Sequence, residues 1–171
     1  MKLSRAECKK MFWDYACSHF LLDRDGVRER HPKYQATPEE EVAWKQEYVQ
    51  HWTDRLSIDD LEPLRKLENA GATESLPRIL ALAAKGDNFS KLQYANVVWE
   101  FSRELQSWDP LYGDAEATAC RLWKQLTSGC GEISAEHEAE ITADMKIALS
   151  ATSPAEYVRN YARRQLDKYY T

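Results

Sequence analysis

Apolar residues recur every three or four positions along nearly the whole chain, which is the spacing of an amphipathic α-helix. Residues 4–7, SRAE, have the pattern of a capping box, and the apolar run behind them reaches Leu22. Residues 37–40, TPEE, form a second capping box, with Pro38 at a helix start, where no N–H donor is needed. The helix behind it is expected to end near Asp54. The first third of the chain is therefore predicted to form two helices.

The remaining helices are predicted from apolar spacing together with glycine and proline signals. Gly71, Gly86 and Gly129 each follow an apolar-periodic segment, at the place where glycine commonly ends a helix. Residues 153–156, SPAE, form a third capping box and open the last helix. The predicted ranges are 60–70, 74–85, 89–107, 114–128, 135–150 and 153 onward.

About eight helices and no convincing strand predict an all-α fold. We expect residues 1–171 to form a single all-helical domain with a long loop at 23–36, arranged as a compact helical bundle. The alternative is a short stack of helical hairpins, such as a HEAT-like solenoid, because 61–71 and 76–86 share leucine spacing and a glycine stop. No set of residues recurs at a fixed repeat period, so the repeat pattern is weak.

Aromatic residues follow one side of the second predicted helix. Trp44, Tyr48 and Trp52 are spaced four residues apart, which favours a core row and leaves an exposed recognition strip as the alternative. Trp99 lies on a second apolar side of the helix at 89–107, which favours a helix packed on both sides.

His19 falls in the middle of the apolar face of the first predicted helix, where a hydrogen-bonded core histidine is the favoured interpretation.

One helix carries a strip of groups with acid–base or metal-binding chemistry, formed by Glu136, His137, Glu140 and Asp144. Such a strip could supply oxygen ligands to a divalent metal, or a paired acid and base. The zinc-protease motif fails, because Ile141 stands where the second histidine is required. We therefore predict no metal site and no catalytic residue. The candidate binding residues are therefore Glu136, His137, Glu140 and Asp144, together with Trp44, Tyr48, Trp52 and Trp99.

Cysteine chemistry is predicted to be of little importance. The four cysteines are spaced too widely for a Cys-x-x-Cys motif and are expected to be reduced thiols. Cys130, between two glycines, has the access of a reactive thiol, but Glu132 and the acids after it disfavour the thiolate. A helix boundary is the favoured interpretation of this segment. No phosphate-binding loop or nucleophile elbow is present, so no cofactor is predicted.

The charge distribution limits the classes of partner. The net charge is −5, and residues 67–144 carry 13 acidic against 6 basic side chains. Nucleic-acid binding is not expected from this composition, because phosphate recognition needs a clustered basic surface. An acidic patch suits a basic protein partner. No apolar run is long enough for a membrane span, and the N-terminal residues do not have the pattern of a signal peptide. A cytoplasmic protein without membrane association is expected.

Two functions from different classes remain after these exclusions. The favoured hypothesis is a non-catalytic protein-binding helical domain of the inhibitor, immunity or adaptor kind, which uses acidic and aromatic surface. The alternative is a small-ligand-binding protein or metal-dependent enzyme with an aromatic-lined pocket between helices, in which His19, His51 or His137 supplies the chemistry. A concave pocket lined by Trp44, Tyr48 and Trp52, with a histidine directed into it, would favour the alternative. A solvent-exposed acidic and aromatic strip without a pocket would favour the protein-binding hypothesis.

Overall fold

The computed structural model describes residues 3–27, 34–129, 132–145 and 153–170, with the backbone alone for 143–145. Over these residues the chain contains α-helices, one short 3₁₀-helix and no strand, so the predicted all-α fold is confirmed. Nine α-helices are described, against about eight predicted. The additional helix comes from the first apolar run, which forms two helices and not one.

The helices, numbered in chain order, have the following bounds. They are α1 Arg5–Asp14, α2 His19–Arg24, α3 Pro38–Thr53, α4 Glu62–Asn69, α5 Leu76–Ala83, α6 Asn88–Glu104, α7 Pro110–Ser128, α8 Ala135–Met145 and α9 Pro154–Tyr170, with the 3₁₀-helix at Thr73–Ser75 before α5. The long loop expected at 23–36 begins later than predicted, since 23 and 24 belong to α2, and residues 28–33 lie outside the described residues.

The chain divides into two compact units. Unit 1 consists of Met1–Leu56 and Glu62–Ser75, and unit 2 consists of Ser57–Leu61 and Leu76–Thr171. The expectation of one domain over 1–171 stays a prediction, and each unit is described by itself.

In unit 1, α3 packs against α1 and α4. Both predicted capping boxes are present: the Glu7 N–H donates to the Ser4 hydroxyl, and the Glu40 N–H donates to the Thr37 hydroxyl. Phe12 and Tyr48 are each 2% exposed and form part of the core between these helices. The predicted end of α3 near residue 54 is also confirmed.

The first apolar run is interrupted between α1 and α2, which corrects the prediction of one helix reaching Leu22. Ala16 and Cys17 have φ values of 51° and 55°, in the left-handed region that side-chain-bearing residues seldom adopt. The Cys17 N–H donates to the Phe12 carbonyl at 2.8 Å and the Ala16 N–H to the Trp13 carbonyl at 3.0 Å, which closes α1. Ser18 then caps α2 by accepting the Leu21 N–H.

In unit 2, α6 is the central helix and packs against α5, α7 and α9. Its two apolar sides are both buried, so the predicted packing on both sides is confirmed. The buried side chains of α6 include Leu92, Tyr94, Ala95, Val97, Val98, Trp99 and Phe101. The last helix turns Val158 and Ala162 inward, while Arg163, Arg164 and Lys168 are exposed, as expected from its sequence.

Several helix ends in unit 2 differ from the predicted ranges. Helix α6 ends at Glu104 instead of 107. Helix α7 begins at Pro110 instead of 114, because Asp109 caps it by accepting the Leu111 N–H at 2.8 Å. Helix α8 is described to Met145, and the rest of its predicted range, 146–150, lies outside the described residues. Helix α5 covers Leu76–Ala83 instead of the predicted 74–85, so it ends before Gly86, which has a left-handed φ of 79°.

Candidate functional site

His137 is buried and pairs with a carboxylate that the sequence pattern did not indicate. Its Nδ1 lies 2.8 Å from Oδ2 of Asp87, a residue 50 positions earlier in the chain. The histidine is 5% exposed, and its ring packs 5.3 Å from the ring of Phe89. His137 is therefore not at the edge of an acidic surface strip, as expected from the sequence, but inside unit 2.

Asp87 joins the starts of two helices. Its Oδ1 accepts the Ser90 N–H at 2.8 Å and so caps α6, while its Oδ2 accepts the Ser134 N–H at 2.7 Å at the start of α8. The Asn88 N–H also donates to the Glu132 carbonyl at 3.2 Å, which adds a backbone bond between the same two segments. Ser134 caps α8 as predicted, by accepting the His137 N–H at 3.3 Å.

The environment of Asp87 favours its ionised form. Burial by itself raises the pKa of this carboxyl, but the hydrogen bonds from the Ser134 and Ser90 N–H groups and from His137 lower it by more. The net effect lowers the pKa of Asp87 to about 2. Because both carboxylate oxygens accept hydrogen bonds, Asp87 is suited to holding the starts of α6 and α8 together.

The structure describes three of the four side chains of the predicted strip on α8. Glu136 is exposed, Glu140 is half-buried, and the Asp144 side chain lies outside the described residues. Ile141, one turn after His137, is fully buried and marks the inward side of α8. Among the residues whose side chains are described, no group of three or more His, Cys, Asp or Glu is placed to hold a metal ion.

In unit 1, the aromatic row on α3 lies mainly in the core. Trp44 is 8% exposed and Tyr48 is 2% exposed, while Trp52 is half-buried. The Tyr48 ring packs against those of Trp52 and Trp13, at 6.1 and 5.4 Å. The core interpretation of this row is confirmed for Trp44 and Tyr48, and a binding role for the three stays a prediction.

His51 and His19 also belong to unit 1. His51 packs on Trp52 with a ring distance of 4.9 Å, and its Nδ1 lies 3.1 Å from the Arg55 guanidinium. The His19 side chain is 52% exposed, and its Nε2 lies 2.9 Å from Glu41. The expectation of a core position for His19 was wrong, because the break after α1 rotates α2 away from the face that a continuous helix would present.

Trp99 belongs to an aromatic cluster at the C-terminal end of α9. Its ring lies 4.6 Å from that of Tyr169, 5.5 Å from Tyr170 and 5.6 Å from Trp123. Trp99 and Trp123 are buried and belong to the core of unit 2, whereas Tyr170 is exposed. A role of Trp99 in binding stays a prediction.

A shallow groove of about 460 Å³ runs along the outer side of α7. It is lined by Ala117, Cys120, Arg121, Lys124, Gln125 and Ser128, and by none of the aromatic candidates. The groove is therefore not the aromatic-lined pocket that the ligand-binding alternative requires.

The cysteine thiols that the structure describes are unpaired, as predicted. Cys8 and Cys17 are buried and Cys120 is half-buried, while Cys130 lies outside the described residues. Burial raises the pKa of Cys17 to about 12, so this thiol stays protonated and is a poor nucleophile.

Among the side chains that the structure describes, three of the large apolar ones are more than half exposed, and sequence reasoning did not select them. Trp108 is 79% exposed, Phe20 is 72% exposed and Val42 is 59% exposed. Trp108 lies in the turn between α6 and α7, whose Asp109-Pro110 pair is a recognisable helix start. Recognising Asp109-Pro110 as a helix start would have placed Trp108 in the sequence between α6 and α7, outside both helices.

Comparisons with protein-family models, curated protein sequences and solved structures gave no match to this chain. None of the helices in the described ranges combines the length and the apolarity that crossing a bilayer requires.

Proposed function

We propose that this chain is a non-catalytic protein-binding helical domain, of the inhibitor, immunity or adaptor kind. The observation that carries the proposal is the strong exposure of Trp108, Phe20 and Val42. Leaving large apolar side chains in water forgoes the free energy of burying them, about 1.5–3 kcal/mol for each. A protein partner that covers these side chains recovers that free energy, and tryptophan is among the residues that most often dominate such contacts.

The charge of the chain supports a partner with a basic surface. The 13 acidic side chains between 67 and 144 outnumber the basic ones by more than two to one. Opposite charges across an interface increase the rate of association and help to select the partner. A cytoplasmic location is part of this proposal, and nucleic acid is not its expected ligand.

The positions of the chemically active groups favour binding over catalysis. The carboxylate of Asp87 accepts hydrogen bonds from the start of each of two helices and from the ring of His137. The candidate aromatic residues of α3 contribute to a core rather than to the lining of the groove on α7. These contacts give the named residues a structural role, which supports the protein-binding proposal.

Affinity capture from the native cell tests the proposal. The bait is the full chain, compared with a variant in which Phe20, Val42 and Trp108 are replaced by alanine. The matched control replaces Gln35, Gln46 and Gln106, which are also exposed, by alanine. We expect one or more proteins to be retained by the wild type and the control and lost from the apolar-to-alanine variant. Retention of the same proteins by all three baits would contradict the proposal.

A further inference from the structure

The turn between α6 and α7 presents an indole ring on a fixed backbone. The Asp109 N–H donates to the Gln106 carbonyl at 2.8 Å, and the Tyr112 N–H donates to the Asp109 carbonyl at 3.0 Å. The Asp109 side chain accepts the Leu111 N–H at 2.8 Å, and Pro110 restricts the residue before it to extended conformations. Because the turn is held in this way, Trp108 needs little ordering of the backbone when a partner arrives.

Exposed acidic residues precede and follow Trp108 in the sequence. Glu104 ends α6 four residues before it, and Asp114 lies in α7 six residues after it. Both side chains are exposed, and neither forms an ion pair within the part of the chain that the structure describes. The basic residue nearest in sequence, Arg103, lies with its guanidinium 5.9 Å from the centre of the Tyr169 ring. Residues 103–114 therefore carry three acidic side chains, Glu104, Asp109 and Asp114, against one basic side chain, Arg103.

We propose that Trp108, with Glu104 and Asp114, forms the docking surface for a lysine- and arginine-rich segment of a protein partner. A cation placed over an indole face is attracted by the ring, and tryptophan gives the strongest interaction of this kind. The two carboxylates attract the same cations and steer the segment toward the turn. An acidic or neutral segment would gain contact with the ring alone, so charge complementarity selects the basic segment. This inference rests on the proposed protein-binding function and names the chemistry of the partner.

A displayed library of random 12-residue peptides tests this inference. Peptides are selected on the full chain and then counter-selected on Trp108→Ala, which removes a side chain that is 79% exposed. We expect the peptides that depend on Trp108 to be enriched in lysine and arginine. Circular dichroism of the variant is expected to match the wild type, because the removed side chain has little contact with the core.

The affinity of one selected peptide for each variant is then measured by fluorescence anisotropy. These affinities separate the contribution of the indole ring from that of the two carboxylates. We expect Trp108→Ala to weaken binding by about 30-fold, the size of a hot-spot loss, and Trp108→Phe to weaken it less. The double variant Glu104→Gln, Asp114→Gln is expected to weaken binding and to reduce its dependence on salt. Glu74→Gln, an exposed acid in unit 1, is the matched control and is expected to leave the affinity unchanged.

Three outcomes would overturn the inference, and each leaves a different conclusion. Trp108-dependent peptides without basic enrichment would reject the charge assignment. Peptides that bind Trp108→Ala and the wild type equally would reject this turn as the docking surface. Concentration-dependent dimers in sedimentation that disappear in Trp108→Ala would make the occupant a second copy of the chain. In the first two cases, a partner retained in affinity capture would still support the proposed function.

Discussion

At the scale of single residues, Asp87 forms hydrogen bonds with two helix starts and with a buried histidine of unit 2. Its two carboxylate oxygens accept N–H groups from the starts of α6 and α8, and one of them also contacts the His137 ring. A hydrogen bond to an ionised group contributes about 1.5–3 kcal/mol, more than a bond between neutral groups. The ionisation of Asp87 should therefore be linked to the stability of the fold.

We expect the wild type to lose stability between about pH 4 and pH 2 in part through Asp87. Its pKa is lowered to about 2 in the folded chain, so at pH 3 the folded state keeps the ionised form while the unfolded chain is mostly protonated. The stabilisation of the fold by ionised Asp87 is complete above about pH 4 and is lost as the pH falls through about 2. In Asp87→Asn this contribution should be absent, and the free energy of unfolding at pH 7 should be lower by about 2 kcal/mol.

Urea unfolding at pH 7 and pH 2.5 measures this linkage. The matched control is Asp109→Asn. The Asp109 carboxylate also caps a helix, but within the described part of the chain it accepts the N–H of Leu111 and does not join two helices. We expect a smaller loss of stability at pH 7 in that control than in Asp87→Asn. An equal pH dependence in the wild type and Asp87→Asn would contradict the assigned role of Asp87.

Two buried tyrosines provide a second test, because one hydroxyl is paired and the other is not. The Tyr94 hydroxyl donates to the Ser57 carbonyl at 2.9 Å. The Tyr48 hydroxyl is buried beside the Trp52 indole and forms no hydrogen bond of ordinary geometry among the described residues. We expect Tyr94→Phe to lower the free energy of unfolding by about 1 kcal/mol and Tyr48→Phe to raise it by about 1 kcal/mol. Chemical denaturation measures both, and a loss of stability in Tyr48→Phe would show that its hydroxyl has a partner.

At the scale of elements, the break between α1 and α2 is held in an unfavourable backbone conformation. Left-handed φ values at residues with a Cβ cost about 1–2 kcal/mol each, and glycine does not carry this cost. We expect Ala16→Gly to leave stability unchanged or to raise it by up to about 1 kcal/mol, since the relief of strain exceeds the loss of one buried methyl group. Ala43→Gly, at an exposed position within α3, should lower stability by about 1 kcal/mol. Thermal unfolding measures both, and equal losses would contradict the strain at Ala16.

The elements also show which local features a sequence can reveal. The capping boxes at 4–7 and 37–40 and the glycine stop at Gly71 are local, and all three are present in the structure. At Gly71 the following N–H, from Ala72, donates to the Leu67 carbonyl at 3.0 Å, as expected for a helix that ends in a left-handed glycine. The break at Ala16 was missed because no glycine or proline marks it and the apolar spacing continues across it.

At the scale of the whole molecule, contacts between distant residues decide what the candidate site becomes. His137 was singled out from its position on α8, but its partner Asp87 is 50 residues away and has only the local pattern of a helix cap. The spacing of apolar residues therefore predicted helix α8, but it did not reveal the role of His137. The exposure of Trp108 is likewise a property of the folded chain, since a tryptophan between two helices is more often buried than exposed.

The central claim is that Trp108 contacts a protein partner. The direct measurement is a ¹H–¹⁵N correlation spectrum of the indole N–H signals of the six tryptophans, with Trp108→Phe identifying one of them. On addition of a partner obtained by affinity capture, we expect the Trp108 signal to shift or broaden while the signals of buried Trp99 and Trp123 stay in place. A bound partner that leaves the Trp108 signal unchanged would contradict the claim.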